Sequence, residues 1–487
     1  MENITFDTLN LATIVPMCIA IVGALIILCI DIVKSSLSKS FYTMLTILVL
    51  LMDLGAILLF SSNERGFFDM MLVDGIALLS QIIILVASML FIPLALSKTD
   101  FNEHKFAEYF ALFLFMIAGF QFMVATENLI LIFLGLETAS LALYALIAMH
   151  GRTKAVEAAL KYFVMGALAA GFYAFGSMIF YALTGSVEIS IIVERLGERG
   201  YEPIFAVLGA TIFILATLAF KLSLIPFHTW TPDVYEGSSA PLAGYMSIVP
   251  KIAAFVVAIR FFDLLLSSNL TWLHDMLYVL VVLTMTLSNL MALVQSDVKR
   301  MLAFSSISHA GFVLAAVLIN SEQGNSAVFV YWILFMFSNL GAFSMLWLAR
   351  NKQNLWDERY QHPYIKFSGM IQVSPMAATL MGLFMLSLAG LPPFSVFWGK
   401  IYILGAAINA GYVILAIIMA LNSAVAIYYY LKLVVYIFLK DPISEDGNIY
   451  IINSSKPLKV VVGFAALTTL FAIFLVEPIL KLVSIYM

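Results

Sequence analysis

Charged residues are scarce in this sequence. Only 11% of its 487 residues are Asp, Glu, Lys or Arg, against about 25% in ordinary soluble domains, whereas 63% are hydrophobic. A soluble chain of this length could not bury so much apolar surface. The net charge of −4 provides no basic surface, so we expect no nucleic-acid partner. The composition predicts an all-α protein of the lipid bilayer.

Cysteine is almost absent, and the two that occur are badly spaced for a joint site. Cys18 and Cys29 fall in the first apolar segment, where a helix would separate them by roughly 16 Å. That distance excludes a disulfide. Two cysteines are also too few for an iron–sulfur cluster or a structural zinc site. We therefore expect no metal and no cofactor in this chain.

Apolar segments long enough to cross a bilayer fill most of the sequence. A bilayer core needs about 20 apolar residues in a helix. The first segment follows Glu2 and Asp7 rather than basic residues, so it predicts a retained helix and not a cleaved signal. The sequence predicts about fourteen transmembrane helices, at 10–33, 42–61, 75–97, 106–125, 128–149, 157–184, 204–226, 240–262, 272–294, 301–319, 327–349, 372–408, 412–438 and 458–485.

The seventh and twelfth segments are interrupted. The seventh runs into Ile225-Pro226-Phe227 and a polar tail, and the twelfth contains Gly390-Leu391-Pro392-Pro393. Proline breaks a helix, and inside a membrane such a break persists only where protein or a water-filled cavity satisfies the freed backbone. The sequence therefore predicts broken helices 7 and 12.

The spacing of these breaks indicates a repeat. The two broken segments are five helices apart, and a shift of 172 residues lays Glu137 on His309. An odd number of helices reverses the direction across the membrane. Inverted repeats with paired broken helices are typical of transporters.

Basic residues predict the orientation. With the N-terminus outside, the inside loops hold fifteen Lys and Arg residues and the outside loops hold five. Because inside loops are enriched in basic residues, both termini are expected on the outer face. The remaining five lysines fall inside the predicted helices: Lys161, Lys221, Lys251, Lys400 and Lys432.

Four ionisable side chains lie deep in the predicted helices. A charge at the bilayer centre costs about 2.5–3.5 kcal/mol on insertion scales, so such residues are rare unless they function. Glu137 and Lys251 reach a depth of about 14–16 Å, the middle of a ~30 Å core. Lys221 precedes the first break and Lys400 follows the second. The alternative is that these charges only fix helix packing.

Other polar residues give weaker signals. Lys161 and Lys432 lie near the inner ends of their helices, where a long side chain reaches the headgroups. His309 follows three serines within Ser305–Ser308, which favours a hydrated polar face, although a lone buried histidine is more often satisfied locally. Asp53 is in the middle of the second segment, and the sequence assigns it no partner.

One deep carboxylate among several lysines favours protons as the transported species. Burial lowers the proton affinity of a lysine, and a neighbouring carboxylate raises it. An ion pair that forms and separates would therefore switch the lysine between binding and releasing a proton. Transport of metal ions would call for several carboxylate and carbonyl ligands.

Four stretches carry a resemblance to a known family. They are FKLSLIPFHTWTPDVYEGSSAP (220–241), DVKRMLAFSSISHAG (297–311), SLAGLPPF (387–394) and ALKYF (159–163). The sequence resembles the antiporter-like, proton-translocating membrane subunits of bacterial NADH–quinone oxidoreductase (respiratory complex I). The DVYEG motif and Lys400, where the M-type sibling has glutamate, are typical of the N-type branch. Ser238-Ser239 departs from the bulkier or proline-containing pair of many relatives, at no ionisable position.

The resemblance, which covers nearly the whole chain, implies a division into four parts. Residues 1–105 would form an N-terminal three-helix segment, followed by two inverted five-helix repeats of helices 4–8 and 9–13. These repeats correspond to 106–262 and 263–440, and residues 441–487 would supply the C-terminal helix.

Roles for the ionisable residues also follow from the resemblance. It implies that Glu137 pairs with Lys221, that Lys251 is the central relay lysine and that Lys400 lies toward the exit half-channel. It further implies a relay histidine at His309 and a sixth-helix lysine at Lys161 that takes part in proton transfer.

The implied activity is that of a subunit without redox chemistry in a proton-translocating complex of the cytoplasmic membrane. Quinone reduction elsewhere would drive proton movement, with flavin, iron–sulfur clusters and quinone in partner subunits. Partners would be the other membrane subunits, including the M-type sibling and small membrane subunits, and the lipid bilayer. The alternatives are a subunit of a multisubunit cation/proton antiporter, which shares these helices and lysines, and a scaffold that transports nothing.

Overall fold

The computed structural model describes residues 9–34, 37–59, 64–96, 106–268, 270–351, 361–442, 449–451 and 455–487. Outside them lie Glu2 and Asp7, and four basic residues that support the predicted orientation, Lys98, Lys105, Lys352 and Arg359. The described chain is almost entirely helical.

The helices are α1 (Val15–Val33), α2 (Lys39–Leu58), α3 (Gly75–Phe91), α4 (Ala107–Val124), α5 (Leu129–Ala148), α6 (Thr153–Thr184), α7 (Ile189–Glu198), α8 (Ile204–Leu222), α9 (Trp230–Gly237), α10 (Ala240–Met246), α11 (Val249–Ser267), α12 (Thr271–Leu293), α13 (Val298–Ile319), α14 (Glu322–Leu348), α15 (Met370–Val373), α16 (Pro375–Ala389), α17 (Ser395–Asn409), α18 (Val413–Leu439), α19 (Lys456–Leu470) and α20 (Ala472–Tyr486).

Short 3-10 turns and two small two-stranded sheets complete the described fold. The 3-10 turns are Leu11–Ile14, Ile92–Leu96 and Tyr364–Phe367. The strands are β1 (Glu64–Gly66), β2 (Met71–Val73), β3 (Ala349–Asn351) and β4 (Ile449–Ile451), and they pair antiparallel as β1 with β2 and β3 with β4.

Within the described residues, eleven helices are long and apolar enough to cross a membrane, and counting the bent pair α19 and α20 as one span gives twelve. They are α1 to α6, α8, α12 to α14 and α18. In a bilayer the backbone must satisfy its own hydrogen bonds, which a helix does along its whole length. The prediction of an all-α polytopic membrane protein is confirmed, and the count of fourteen spans stays a prediction.

The helices are arranged around α13. Every residue in the most apolar window of α13 is buried, against 33% in α6 at the periphery. Apolar side chains such as Leu160, Val164 and Leu168 of α6 point outward, as a lipid-facing helix requires. The polar side chains from Ser305 to His309 of α13 are therefore surrounded by protein.

Both predicted breaks are present. Helix α8 ends at Leu222, where Ser223 takes a left-handed conformation with φ +63°, and Pro226 lies in the turn before α9. Helix α16 ends at Gly390, with φ +82°, and the prolines 392 and 393 precede α17. Glycine adopts this conformation without the steric cost that a Cβ imposes.

Two further breaks contradict the continuous helices predicted at 240–262 and 458–485. The first separates α10 from α11 at Ser247 and Ile248, where Asn339 of α14 donates to the Gly244 carbonyl at 3.1 Å and to the Ser247 hydroxyl. Pro250 sits in the first turn of α11, where its missing N–H costs nothing. The second is a bend of 86° between α19 and α20.

Candidate functional site

Lys251 is the most deeply placed lysine of the site. It is 1% exposed, on the first turn of α11 beside the break after α10. Its Nζ donates to the carbonyl and to the hydroxyl of Ser306 on α13, each at 2.6 Å. No carboxylate forms an ion pair with it among the residues that the structure describes. Neutral oxygens therefore hold the lysine nitrogen.

His309 lies one turn further along α13, between two tyrosines. Its Nδ1 contacts the Tyr331 hydroxyl of α14, and its Nε2 lies 3.0 Å from the Tyr430 hydroxyl of α18. Tyr430 also shares a hydrogen bond with the Ser305 hydroxyl. Both ring nitrogens thus have hydroxyl partners, which donate or accept according to the tautomer.

Lys400 closes the break between α16 and α17. Its Nζ donates to the Ala389 carbonyl at 3.1 Å, which the left-handed Gly390 leaves without an intrahelical partner. A cation at the C-terminus of a helix is also favoured by the helix dipole. Gly399 lets Tyr331 approach the turn that bears Lys400, because a Cβ there would lie 2.9 Å from the tyrosine ring.

These residues share one face of α13. Ser306, His309 and Phe312 are three residues apart, so they lie one above another on the helix. Ser306 holds Lys251, and the Phe312 ring centroid is 5.6 Å from the Lys400 Nζ. A rise of about 4.5 Å separates successive members. We call Ser306, His309 and Phe312 the α13 stripe. Lys251 lies at its Ser306 end and Lys400 at its Phe312 end, with His309 between them.

Glu137 and Lys221 form a second group, on α5 and α8. The Lys221 Nζ donates to the Ser140 hydroxyl at 2.6 Å, and Ser140 lies one turn after Glu137. The two charges interact electrostatically, but the described ion pairs do not include a direct Glu137–Lys221 contact. One buried carboxylate oxygen of Glu137 has no hydrogen-bond partner in this structure. The direct pairing of Glu137 with Lys221 stays a prediction.

Close packing of α4 against α5 sets the direction of this polar face. A Cβ at Gly119 would lie 2.7 Å from the Gly135 carbonyl, so glycines allow the two backbones to touch. Gly135 and Ala139 therefore face α4, which turns Ser140 toward Lys221 on the other side.

Aromatic side chains connect the surroundings of Lys221 with those of Lys251. The Lys221 Nζ is 5.6 Å from the Tyr162 ring centroid, and that ring stacks on Trp230 at 4.4 Å. Trp230 donates to the Phe220 carbonyl at 2.9 Å and lies 6.4 Å from Tyr235. Tyr235, which is fully buried, lies near Ser306.

Lys161 belongs to a partly exposed ion cluster instead of the buried set. Its Nζ lies 2.8 Å from Glu157 and 3.1 Å from Asp233, and 45% of its side chain is exposed. Arg300 pairs with Asp233 at 2.9 Å and with Glu236 at 2.7 Å. Partial burial opposes ionisation of Asp233, outside the apolar spans, but hydrogen bonds and charges from Lys161 and Arg300 lower its pKa.

Asp53 has a partner that the sequence did not reveal. It is fully buried on α2, and the amide nitrogen of Gln121 on α4 donates to its two carboxyl oxygens at 3.0 and 2.9 Å. The amide oxygen of Gln121 is buried without a hydrogen-bond partner. This pair lies apart from the lysines, in the N-terminal part of the chain.

Sequence reasoning missed the neutral partners of the charged residues. Ser140, Ser306, Tyr331 and Tyr430 hold Lys221, Lys251 and His309 in place. In the sequence, only the run of serines before His309 indicated that such polar partners were present. Within the described residues, no three His, Cys, Asp or Glu side chains are grouped to hold a metal ion.

Relatives of this chain span its whole length. A chain named NADH-quinone oxidoreductase subunit N from Sulfurimonas denitrificans is 60% identical over 491 residues, covering 99% of this chain and 98% of the relative. The protein of the same name from Sulfurovum sp. (strain NBC37-1) is 59% identical over 483 residues, covering 98% and 97%.

A solved structure shares the fold. One chain of respiratory complex I from Thermus thermophilus with bound aureothin superposes with a TM-score of 0.78 at 29% identity, covering 96% of this chain and 98% of that chain. The sequence model described as NADH:quinone oxidoreductase/Mrp antiporter, transmembrane part, matches residues 126–426, which include the residues of both groups described above. The resemblance drawn from the four sequence stretches is thereby confirmed, and the chain belongs to the NADH:quinone oxidoreductase/Mrp antiporter family of membrane subunits.

Proposed function

We propose that this chain moves protons across the membrane as a subunit of a respiratory NADH–quinone oxidoreductase. The relay would comprise Glu137 and Lys221 in one half, Lys251 at the centre, and His309 with Lys400 in the other half. Quinone reduction in other subunits would supply the energy. The names of the relatives and the family membership support this assignment.

The α13 stripe is the observation that carries the proposal. It brings Lys251, His309 and Lys400 alongside one buried helix, with hydroxyl and carbonyl oxygens around each nitrogen. A proton crosses such a series through hydroxyl groups and water, because each member both gives and accepts a proton. A lysine held by neutral oxygens releases its proton without leaving a buried carboxylate unpaired.

Glu137 would control the first half of the relay. When its carboxylate is ionised, it favours the charged form of the nearby Lys221, and when it is protonated that support disappears. Ser140 holds the Lys221 nitrogen within reach of this field at 2.6 Å. A change of charge at Glu137 would then pass a proton from Lys221 toward Lys251, by way of Tyr235 and water.

Lys161 would play a supporting role at the surface. Its ion pairs with Glu157 and Asp233 keep charge at the edge of the Lys221 surroundings, next to Tyr162. We assign it no step in the relay, and its mutation should have the smallest effect of the six residues.

The topology that fits this function has fourteen membrane helices in two inverted repeats, helices 4–8 and 9–13, in the cytoplasmic membrane with both termini on the outer face. The repeat is supported by the two helix breaks: the break after Leu222 lies beside Lys221, and the break after Ala389 lies beside Lys400. In this topology, residues 1–105 form the N-terminal three-helix segment. Residues 106–262 and 263–440 form the two repeats, and residues 441–487 supply the C-terminal helix.

The cofactors and partners follow from the same assignment. Flavin, iron–sulfur clusters and quinone would reside in partner subunits, and the M-type sibling and small membrane subunits would flank this chain. The chain itself would perform no redox chemistry, as its two exposed, distant cysteines suggest.

A multisubunit cation/proton antiporter is the second candidate function. Purification of the intact complex distinguishes the two. We expect flavin absorbance and stoichiometric iron to accompany this chain, together with quinone reductase activity that acidifies one side of a proteoliposome. A complex without flavin and iron that exchanges sodium for protons would establish the antiporter instead. An assembled complex that pumps fully without the relay lysines would favour a scaffold.

A further inference from the structure

An apolar groove lies between α16 and α19, against α14. Its volume is about 730 Å³, within the range of small-molecule sites. Met376, Leu380 and Leu383 form one wall, Val462 and Ala466 form the other, and Met345 lines it from α14. The relay residues take no part in this groove, and no function described above uses it.

The groove has one polar end. Ser374, directly before α16, and Lys459, on the first turn of α19, both line it. Strand β4, which precedes α19, pairs with β3, which directly follows α14, so the start of α19 is held near the end of α14. Lys459 is exposed, and no carboxylate of this chain pairs with it in the part that the structure describes. An unpaired cation therefore stands at the mouth of an apolar groove.

The length of the groove matches one leaflet. From Lys459 to Leu470 the α19 wall rises by about 16 Å, close to half of a ~30 Å hydrocarbon core. A helix from a neighbouring subunit would call for an apolar face across both leaflets, whereas one lipid monolayer provides chains of this length. At Leu470, the last residue of α19 that lines the groove, the chain bends by 86° into α20.

Gly463 keeps the groove open at its middle. A Cβ on this residue would meet no other atom within 4 Å, although it lies on a helix packed against α14 and α16. Glycine in the interior of a helix costs about 0.5–1 kcal/mol relative to alanine. The space over Gly463 is thus one that protein side chains do not fill.

We propose that this groove binds an anionic phospholipid, with an acyl chain along α16 and α19 and the phosphate at Lys459 and Ser374. A basic residue at the end of an apolar site between membrane helices is the arrangement that selects a negative headgroup. The uncharged head of a quinone would gain nothing from the Lys459 charge, and the zwitterionic head of phosphatidylcholine would gain less than an anionic head, because its choline cation offsets its phosphate.

The test uses the purified intact complex in nanodiscs, with phosphatidylglycerol that carries a photoreactive diazirine on one acyl chain. Phosphatidylcholine with the same labelled chain is the matched probe, and mass spectrometry locates the labelled peptides. We expect phosphatidylglycerol to label the 374–383 and 459–470 peptides about fivefold more than phosphatidylcholine, since one lysine contributes about that factor.

Variants separate the two halves of the site. Gly463→Trp should abolish the labelling by filling the groove, with Gly463→Leu as a smaller replacement should the tryptophan prevent assembly. Lys459→Gln should bring phosphatidylglycerol down to the level of phosphatidylcholine. Gly171→Trp, at an equally open position on α6, is the control and should change nothing.

Two results would overturn the proposal. Equal labelling by the two lipids in the native complex would mean that Lys459 selects no headgroup. Labelling that persists in both Gly463 variants, or an unlabelled groove in the native complex, would mean that lipid does not occupy it and that a neighbouring subunit covers it.

Discussion

The Lys251 ammonium group contacts two oxygens of a single residue, the carbonyl and the hydroxyl of Ser306, each at 2.6 Å. Because Ser306 stands one turn before His309, this contact fixes the central lysine at one end of the α13 stripe. The position of Lys251 is thus defined by another helix and not by an ion pair.

Replacement of Lys251 should uncouple the complex. Lys251→Ala removes the protonatable nitrogen and keeps a residue that favours helix, so the complex should assemble. Proton pumping in proteoliposomes and the coupled quinone reductase activity should fall at least tenfold. Lys251→Arg should be nearly as damaging, because a guanidinium stays protonated.

The control for this change is Lys432→Ala. Lys432 lies toward the C-terminal end of α18, where its Nζ is 4.4 Å from the Tyr364 ring centroid, and it takes no part in the proposed relay, so its loss should be milder. Full pumping by an assembled Lys251→Ala complex would show that Lys251 is only a packing charge.

The hydroxyl of Tyr430 should be needed for transfer through His309. Tyr430→Phe removes the partner of both the His309 Nε2 and the Ser305 hydroxyl while leaving the ring in place. We expect several-fold slower proton pumping with normal assembly. Tyr428→Phe, on the same helix but 65% exposed, is the matched control. Equal rates in the two variants would exclude Tyr430 from the relay.

Neutralisation of Glu137 should slow the first half of the relay. Glu137→Gln keeps the size of the side chain and removes its charge, so Lys221 loses the field that favours its protonated form. Pumping should fall by an order of magnitude, and Ser140→Ala should have a smaller effect because it removes only one hydrogen bond, worth about 1 kcal/mol. The reverse order of effects would make Ser140, and not Glu137, the functional partner of Lys221.

Gly390 should be needed to position Lys400. Gly390 has a left-handed backbone conformation, in which the Cβ of Gly390→Ala would cost about 1–2 kcal/mol. The same Cβ would lie only 2.9 Å from the Lys400 Nζ. The lysine must then leave the Ala389 carbonyl, and pumping should drop more than assembly does. Gly405→Ala, at an open position of α17, supplies the comparison and should behave as the native chain. Indistinguishable variants would show that the Lys400 contact is dispensable.

Asp53 should contribute to stability and not to pumping. Asp53→Asn keeps a hydrogen-bonding partner for Gln121 and should leave assembly and pumping unchanged. Asp53→Ala leaves a buried amide without a partner, at a cost of about 1–3 kcal/mol, and should lower the temperature at which the complex loses this subunit. Loss of pumping in an assembled Asp53→Asn complex would instead place Asp53 on a proton path.

Local patterns predicted the parts of the fold that depend on neighbouring residues. Hydrophobic length identified the helices, and the prolines at 226, 392 and 393 identified two breaks, because both effects act within one segment. The break at Ser247 lies three residues before Pro250, a local signal that the prediction of a continuous helix at 240–262 did not use, whereas its hydrogen bond from Asn339, 92 residues away, follows from no local pattern. The bend at Phe471 could not be predicted in this way, because no glycine or proline lies at its centre.

Depth in a helix identified Lys251, Lys221, Lys400 and Glu137, because a buried charge is costly wherever it packs. Which atoms surround them could not be predicted, since helix rotation and register decide whether a lysine meets a serine or a glutamate. Gln121 is the clearest case, because its partner Asp53 is 68 residues distant. Lys161, which depth alone placed within reach of the surface, is indeed partly exposed.

The burial of every residue in the apolar window of α13 restricts how this protein can alternate between its two sides. A helix enclosed by neighbours on every face does not tilt or slide without repacking several others, so rigid-body rocking of one half against the other is disfavoured. Switching is then left to rotations of the lysine side chains and to the water that follows them. Turnover would be timed by hydration of the interior, and heavy water or osmotic stress should slow it more than rigid cross-links between the surrounding helices.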